Sequence, residues 1–163
     1  MCLGQIFAKS FARPEVLTGF VTLFLAVRDG RHQVLRYVNA GHPPALVVTL
    51  TSGQPALQLL RNSGPALGVI DSPDLREEAM PWSAGATLLI YTDGIIEARR
   101  GNEPQFSLDG LTQTVLEHFR SQPNSPPNNL LEVICTALPS PSANHHSVDF
   151  HRDDQTLLAL RVQ

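Results

Sequence analysis

Apolar residues along the chain form short runs and alternating stretches that predict strands. Leu35 and Tyr37 alternate with Arg36, which is the period of a strand with one buried face. Residues 20–27 are almost wholly apolar and predict a buried strand. Further strands are predicted over residues 34–39, 45–50, 56–61, 75–80 and 87–92, and a last one follows Asp154. Short connections such as Asp29-Gly30 imply antiparallel neighbours, so the first four strands predict a β-meander.

Apolar residues at helical spacing predict helices over residues 108–119 and 128–138. Ser107 is a plausible N-cap for the first of these helices. The apolar stripes consist of Leu108, Leu111, Val115 and Phe119 in the first helix and Leu130, Leu131, Ile134 and Leu138 in the second. Residues 5–16 resemble the end of another helix, which Arg13-Pro14 breaks. The pattern as a whole predicts the α+β class, with antiparallel strands.

The stretch with the most chemical interest is residues 87–92, which predict a central strand covered on both faces because polar residues are few. The strand stops at Asp93-Gly94, and alternation places Asp93 on the face of Tyr91 and Leu89. A carboxylate at the rim of a core suits a metal ligand. The pattern also fits a plain turn or a helix N-cap, since Asp-Gly is a common turn pair.

A second acid-bearing strand end occurs near the end of the sequence, where Asp153-Asp154-Gln155-Thr156 runs directly into an apolar stretch. If this strand and residues 87–92 are antiparallel neighbours, Asp93 and Asp153 lie at the same rim. Two aspartates without an obligatory thiol or imidazole are hard oxygen ligands, which suit Mg²⁺ or Mn²⁺ better than zinc or copper. The alternative is that both acids are ordinary turn residues.

Composition narrows the class of protein. Hydrophobic residues make up 42% of the 163 residues and charged residues 17%, so the chain has enough apolar material for a sizeable core. A net charge of −3 without a basic patch argues against nucleic-acid binding. We expect no membrane span, because the apolar runs are short, and no signal peptide. Cys2 and Cys135 form no disulfide framework or zinc constellation, which fits a reducing cytoplasm, and Cys135 is expected to be buried in its helix.

The histidines of the polar loop over residues 139–152 invite a metal interpretation. His145, His146 and His151 have no helical i, i+4 pairing and no cysteine nearby. We therefore favour an exposed loop in which they have no special role.

Four motifs in order give the chain a family resemblance. They are Asn39-Ala40-Gly41-His42-Pro43-Pro44, Leu67-Gly68, Tyr91-Thr92-Asp93-Gly94 followed by Glu97-Ala98, and Asp153-Asp154-Gln155-Thr156. They resemble the bacterial branch of the metal-dependent (PPM, type 2C) protein phosphatases, which contains the SpoIIE and RsbU phosphatases. The resemblance runs from about Phe20 to the end of the sequence.

The resemblance implies a β-sandwich flanked by helices, with a binuclear Mn²⁺ or Mg²⁺ site at one end. A metal-bound water there attacks a phosphoserine or phosphothreonine. By the resemblance, Asp93 and Asp153 are metal ligands, whereas Gly94 and Asp154 lie beside the ligands without binding the metal. His42 is expected to stabilise its turn and not to take part in catalysis.

The chain departs from the family pattern at its start. Residues 1–19 contain neither the Gly-Asp-x-x-Asp motif, whose acid bridges both metals, nor the following Asp-Val-x-Gly-x-Gly motif, and Glu15 is their only acid. We therefore expect residues 1–163 to form a single phosphatase-like domain that is incomplete at its N-terminus, with at most a partial metal site. The strand over residues 20–27 would then have lost a neighbour, so we expect self-association, completion by a partner strand, or marginal stability.

Three functions fit this sequence. The first is a serine/threonine phosphatase domain acting on a phosphorylated regulatory protein, typically an anti-sigma-factor antagonist in this branch. The second is a catalytically inactive relative that binds a partner. The third is a β-sandwich interaction module whose acids are turn residues, and family membership is favoured strongly over it.

Overall fold

The computed structural model describes residues 19–99, 103–139 and 154–162. Its strands are β1 (Leu23–Asp29), β2 (Val34–Ala40), β3 (Ala45–Thr51), β4 (Gln54–Leu60), β5 (Glu78–Pro81), β6 (Thr87–Tyr91) and β7 (Leu157–Arg161). Its helices are α1 (Asp93–Ile96), α2 (Ser107–Ser121) and α3 (Pro127–Ala137). The helix predicted over residues 5–16 lies outside the described residues.

The strands form two sheets. One has the order β1-β2-β5, and each neighbouring pair is antiparallel. The other has the order β4-β3-β6-β7, in which β6 is antiparallel to both β3 and β7. The predicted α+β class with antiparallel sheets is therefore confirmed, and so is the central position of β6.

The predicted β-meander is wrong, because β2 and β3 lie in different sheets. The chain leaves the first sheet at Gly41, which has a φ of +72°. Pro43 and Pro44 follow it and have no backbone N–H to donate to a ladder. Two hairpins, β1–β2 and β3–β4, therefore replace one continuous meander.

Tight connections shape both hairpins. In the β1–β2 turn, the Asp29 carboxylate accepts the amides of Arg31 and His32 at 3.0 and 3.2 Å. In the β3–β4 turn, Ser52 and Gly53 both have positive φ, which is the conformation that two-residue hairpin loops require.

The chain divides into two compact units, Met1–Ala45 with Leu59–Ala84, and Leu46–Gln58 with Gly85–Gln163. In the first unit, a buried cluster joins β2 to the loop before β5, and Leu23 packs against it; its members are Val38, Ala40, Leu67 and Leu75. In the second unit, α1 contacts α2, α2 contacts α3, and α3 contacts β7. The fully buried side chains of these helices are Ile95, Leu111, Val115, Leu130 and Ile134.

Two burial predictions are wrong. Strand β1 was expected to be buried, but most of its residues are half-buried, and Val27 is 42% exposed. The strand lies at the edge of its sheet, where the described residues give it β2 as a strand neighbour. Cys135 is exposed. It follows the buried Ile134, and one helical step turns a side chain by about 100°.

Candidate functional site

The candidate site lies where β6 ends and β7 begins. The last pair of their ladder joins Tyr91 to Leu157. Beyond it, the Thr92 amide donates to the Thr156 carbonyl at 3.1 Å. The two acid-bearing strand ends are therefore antiparallel neighbours, which is the arrangement that the sequence required for a shared rim.

The side chain of Thr92 links these two strand ends. Its hydroxyl donates to the Asp154 carbonyl at 2.7 Å, and the same oxygen accepts the Thr156 amide at 2.9 Å. A further bond joins the same segments, since the Gln155 side-chain amide donates to the Gly94 carbonyl at 3.1 Å. Residues 92–94 and 154–156 are thus held together by both backbone and side-chain hydrogen bonds.

Asp93 is the first residue of α1. Thr92 stands at the N-cap position in an extended conformation, and its carbonyl accepts the Ile95 amide at 3.0 Å. Ile95 is buried and fixes the turn against the core. The Asp93 carboxylate is exposed, and its Oδ1 accepts the Gly94 amide at 3.0 Å. An acid in the first helical turn also interacts favourably with the helix dipole.

The other predicted site residues are placed as follows. Gly94 is buried beneath the turn, and Asp154 is exposed at the approach to β7. Asp153 lies outside the described residues, as do His145, His146 and His151, so the separation of the Asp93 and Asp153 carboxylates stays a prediction.

The donor chemistry at Asp93 fits a hard divalent cation, because an exposed carboxylate in the turn after a strand offers oxygen ligands. Among the residues that the structure describes, no group of three or more His, Cys, Asp or Glu side chains could hold a metal ion. Of the two predicted ligands, Asp93 lies within the described residues and Asp153 lies outside them.

Tyr91 precedes this turn and is buried. Desolvation raises the pKa of its phenol to about 12, so the ring stays neutral at physiological pH. Within the described residues its hydroxyl has no hydrogen-bond partner. Tyr91 therefore supplies apolar bulk at the end of β6 and no charge.

A second ordered motif, in the first unit, is built around Asn39, which is fully buried. Its Oδ1 accepts the His42 amide at 2.9 Å, and its Nδ2 donates to the Leu60 carbonyl at 3.3 Å. Its backbone amide donates to Ser63 Oγ at 2.8 Å. The sequence placed Asn39 in a family motif without giving it a role, although an amide at the end of an apolar strand, two residues before a Gly-His-Pro turn, is a signal for such a role.

His42 lies on the turn that Asn39 organises. Its Nδ1 is 3.2 Å from the Thr22 hydroxyl, a contact that joins the turn to the start of β1. These contacts are the kind expected for the predicted turn-stabilising role.

Comparisons with known proteins identify the family. The family model described as "Stage II sporulation protein E (SpoIIE)" matches residues 4–163. The chain therefore belongs to the SpoIIE family of type 2C phosphatases. The matched region begins at residue 4, whereas the motifs of the sequence indicate the resemblance only from about Phe20.

Two curated relatives are similar in sequence. Phosphoserine phosphatase RsbP of Bacillus subtilis (strain 168) is 28% identical over 139 residues, which are 85% of this chain and 31% of that protein. Protein IcfG of Synechocystis sp. is 28% identical over 141 residues, which are 86% of this chain and 20% of that protein. The chain thus spans between a fifth and a third of the length of these relatives.

Solved structures show the same fold. The RsbU and RsbW domains of a Mycobacterium tuberculosis protein align with a TM-score of 0.69 at 20% identity, over 99% of this chain and 42% of that one. The PP2C phosphatase domain of Bacillus subtilis SpoIIE, with a fragment of its regulatory domain, aligns with a TM-score of 0.58 at 17% identity, over 86% and 37%. RsbX in complex with magnesium aligns with a TM-score of 0.60 at 10% identity, over 98% and 63%.

Within the part of the chain that the structure describes, none of the helices has the length and apolar character needed to cross a bilayer.

Proposed function

We propose that this chain contributes to a metal-dependent protein serine/threonine phosphatase that acts on a phosphorylated regulatory protein of the anti-sigma-factor-antagonist type. The observation that carries the proposal is the hydrogen-bonded junction of the β6 and β7 ends. It holds Thr92, the residue before Asp93, against residues 154–156, which follow Asp153 in the sequence. Membership of the SpoIIE family supports the reaction class, and similarity to a phosphoserine phosphatase supports the type of substrate.

In this proposal Asp93 and Asp153 would hold Mn²⁺ or Mg²⁺. A bound metal would lower the pKa of a water molecule and neutralise charge on the phosphate. The chain's own residues orient the ligands. The Gly94 amide holds Oδ1 of Asp93, and the bonds from Thr92 and Gln155 fix the two strand ends.

Metal binding is the first test. Isothermal titration of the chain with Mn²⁺ should show weak binding, because one or two carboxylates leave water to fill the remaining coordination positions. Asp93→Asn should abolish the binding, whereas the matched control Asp71→Asn, which changes an exposed acid in the other unit, should leave it unchanged. Equal binding by the parent chain and Asp93→Asn would refute the role of Asp93.

Catalysis is the second test. With Mn²⁺ and a generic phosphate ester, we expect very slow hydrolysis or none, since the motif with the bridging carboxylate does not occur in this sequence. Robust turnover that disappears in Asp93→Ala would contradict this expectation.

A catalytically inactive, partner-binding domain is the second candidate. It is favoured by the sequence, in which the Gly-Asp-x-x-Asp motif that supplies the bridging acid in the resembling family does not occur. The two candidates separate in one measurement with a phosphorylated anti-sigma-factor antagonist. A phosphatase releases phosphate, whereas an inactive domain forms a stable complex whose phosphate content does not fall.

The edge of the first sheet supports self-association or completion by a partner strand. Phe20, which precedes β1, and Val27, within β1, are 67% and 42% exposed, and among the described strands β1 pairs with β2 alone. An unpaired apolar edge is a template for another strand. Sedimentation with thermal melting tests this, and a clean monomer with an ordinary cooperative melt would contradict it.

A further inference from the structure

At the junction between β6 and β7, a side-chain oxygen replaces one backbone carbonyl as a hydrogen-bond acceptor. When two residues form a hydrogen-bonded pair in an antiparallel ladder, each backbone amide donates to the carbonyl of the other residue. Thr92 and Thr156 satisfy half of this rule, because the Thr92 amide donates to the Thr156 carbonyl at 3.1 Å. The returning bond differs, since the Thr156 amide donates to the Thr92 hydroxyl at 2.9 Å.

The Thr92 carbonyl has a different partner, namely the Ile95 amide at 3.0 Å in the first turn of α1. Thr92 therefore ends a strand and begins a helix within one residue. The backbone conformation at Thr92 is still extended, with φ −85° and ψ 158°. The Thr92 hydroxyl accepts the ladder bond in place of the Thr92 carbonyl, so the Thr156 amide keeps an acceptor.

The same hydroxyl also donates to the Asp154 carbonyl at 2.7 Å. It thus bonds on both sides of Gln155, to the carbonyl before it and the amide after it. Asp93 is the next residue after Thr92, and Asp153 is the residue before Asp154. Asp93 therefore adjoins in sequence the residue that carries this hydroxyl, and Asp153 adjoins in sequence the residue whose carbonyl the hydroxyl bonds.

We propose that Thr92 is the positioning residue for Asp93, and that its hydroxyl sets the register between the turn that carries Asp93 and residues 154–156. This inference rests on the proposed function. A slip of one residue would move Asp93 by about 3.3 Å relative to residues 154–156. Hard-cation ligands lie about 2.0–2.6 Å from the ion, so such a slip would remove the ligand from the site.

Threonine fits this role better than its isosteres. Valine has the same shape and β-branching but no oxygen, so it would leave the Thr156 amide without the hydroxyl acceptor. Serine keeps the oxygen and loses only the methyl group. The pair Thr92→Val and Thr92→Ser therefore separates the hydrogen bonds from the shape of the side chain.

The test has a metal-free arm and a metal arm, both on the full 163-residue chain. In EDTA, amide hydrogen exchange of Thr156 should be roughly tenfold faster in Thr92→Val, as expected for the loss of one net hydrogen bond, and Thr92→Ser should restore the slow rate. With Mn²⁺ alone as the probe, Thr92→Val should weaken the affinity by about 10–100-fold, the usual effect of removing a group that orients a ligand. Thr92→Ser should stay close to the parent chain.

Thr112→Val is the matched control, because it also removes a threonine hydroxyl bonded to a backbone carbonyl, that of Leu108 at 2.7 Å in α2. It should change neither the exchange at Thr156 nor the Mn²⁺ affinity. A slow Thr156 amide in Thr92→Val would overturn the anchoring role. Unchanged Mn²⁺ affinity in Thr92→Val, with binding still lost in Asp93→Asn, would overturn the positioning role alone. Absence of Mn²⁺ binding by the parent chain would overturn the proposed function, and the positioning role with it.

Discussion

Replacing Arg161 by methionine tests how β7 is held within the second unit. The Arg161 guanidinium donates to three backbone carbonyls, at 2.6 Å to Ser125, 2.9 Å to Pro123 and 3.3 Å to Gly85. Its central carbon also lies 5.9 Å from the centre of the Phe119 ring. Methionine keeps an unbranched apolar side chain and removes all the guanidinium N–H donors.

The expected loss follows from these contacts. A hydrogen bond to a charged group contributes about 1.5–3 kcal/mol, and the bond at 3.3 Å is long enough to count for little. Arg161 is half-buried, so water replaces part of what is lost. We therefore expect the free energy of unfolding to fall by about 2–3 kcal/mol, which corresponds to about 5–10 °C in the melting temperature of a domain of this size.

Urea unfolding followed by circular dichroism measures this loss. Arg161→Lys should recover only part of the stability, because an ammonium group cannot reach three carbonyls with a planar fork. Arg76→Met is the control, since the Arg76 side chain is 74% exposed and pairs with Asp74, whose side chain is 83% exposed. Its effect should stay below about 0.5 kcal/mol. If the free energy of unfolding of Arg161→Met differs from that of the parent chain by less than about 0.5 kcal/mol, the Arg161 guanidinium does not hold β7 in place.

Three further predictions concern single residues. Gly41→Ala should cost about 2–4 kcal/mol in urea unfolding, because φ is +72° and a Cβ there would lie 2.8 Å from Ala66 Cβ, whereas Gly53→Ala, with positive φ but open space, should cost less. Burial lowers the pKa of His118 below 6.5. The contribution of the neutral ring to the free energy of unfolding should therefore be fully present above pH 6.5 and be lost as the pH falls below it. His118→Leu should remove this pH dependence of the urea midpoint. Burial raises the pKa of Tyr91 to about 12, so stability should fall as the pH rises from 10 towards that value. Tyr91→Phe should reduce this fall and leave neutral-pH stability unchanged or higher. The part that remains should come from Tyr37, whose pKa is also raised by burial.

Periodicity predicted most of the elements because it reports burial directly. The spacing of Leu111, Val115, Leu130 and Ile134 identified both long helices, and all four side chains are buried. The strand predicted over residues 75–80 begins later, at Glu78. The amides of Leu75 and Arg76 are bonded instead to Pro73 and Ser63, within loops. The hydrophobic pattern does not show whether a backbone amide will bond to a loop carbonyl or to a neighbouring strand.

Strand order was harder to predict than strand location. Nothing in the alternation of residues 34–39 indicates that the chain then changes sheets. The change of sheet depends on two local features. The side chain of Asn39 accepts a hydrogen bond from the turn that follows, and the prolines in that turn have no backbone amide to donate to a ladder. At the candidate site, Asp93 and its strand were recognisable from residue types alone. The role of Thr92 was not, because it depends on which of two oxygens on the same residue accepts an amide.

The junction of β6 and β7 also has a consequence for the order of folding. Thr92 and Asp154 are 62 residues apart along the chain, and both long helices lie between them. Contacts of such long range close late, because the loop entropy is lost before the contact is gained. On the ribosome, β7 is synthesised after every other described strand. Asp93 is therefore synthesised before residues 154–156, and Thr92 gains its bonds to them only when β7 docks. A nascent chain, or one truncated before β7, would contain the β6 end of the junction without the β7 end, and could not assemble the site prematurely.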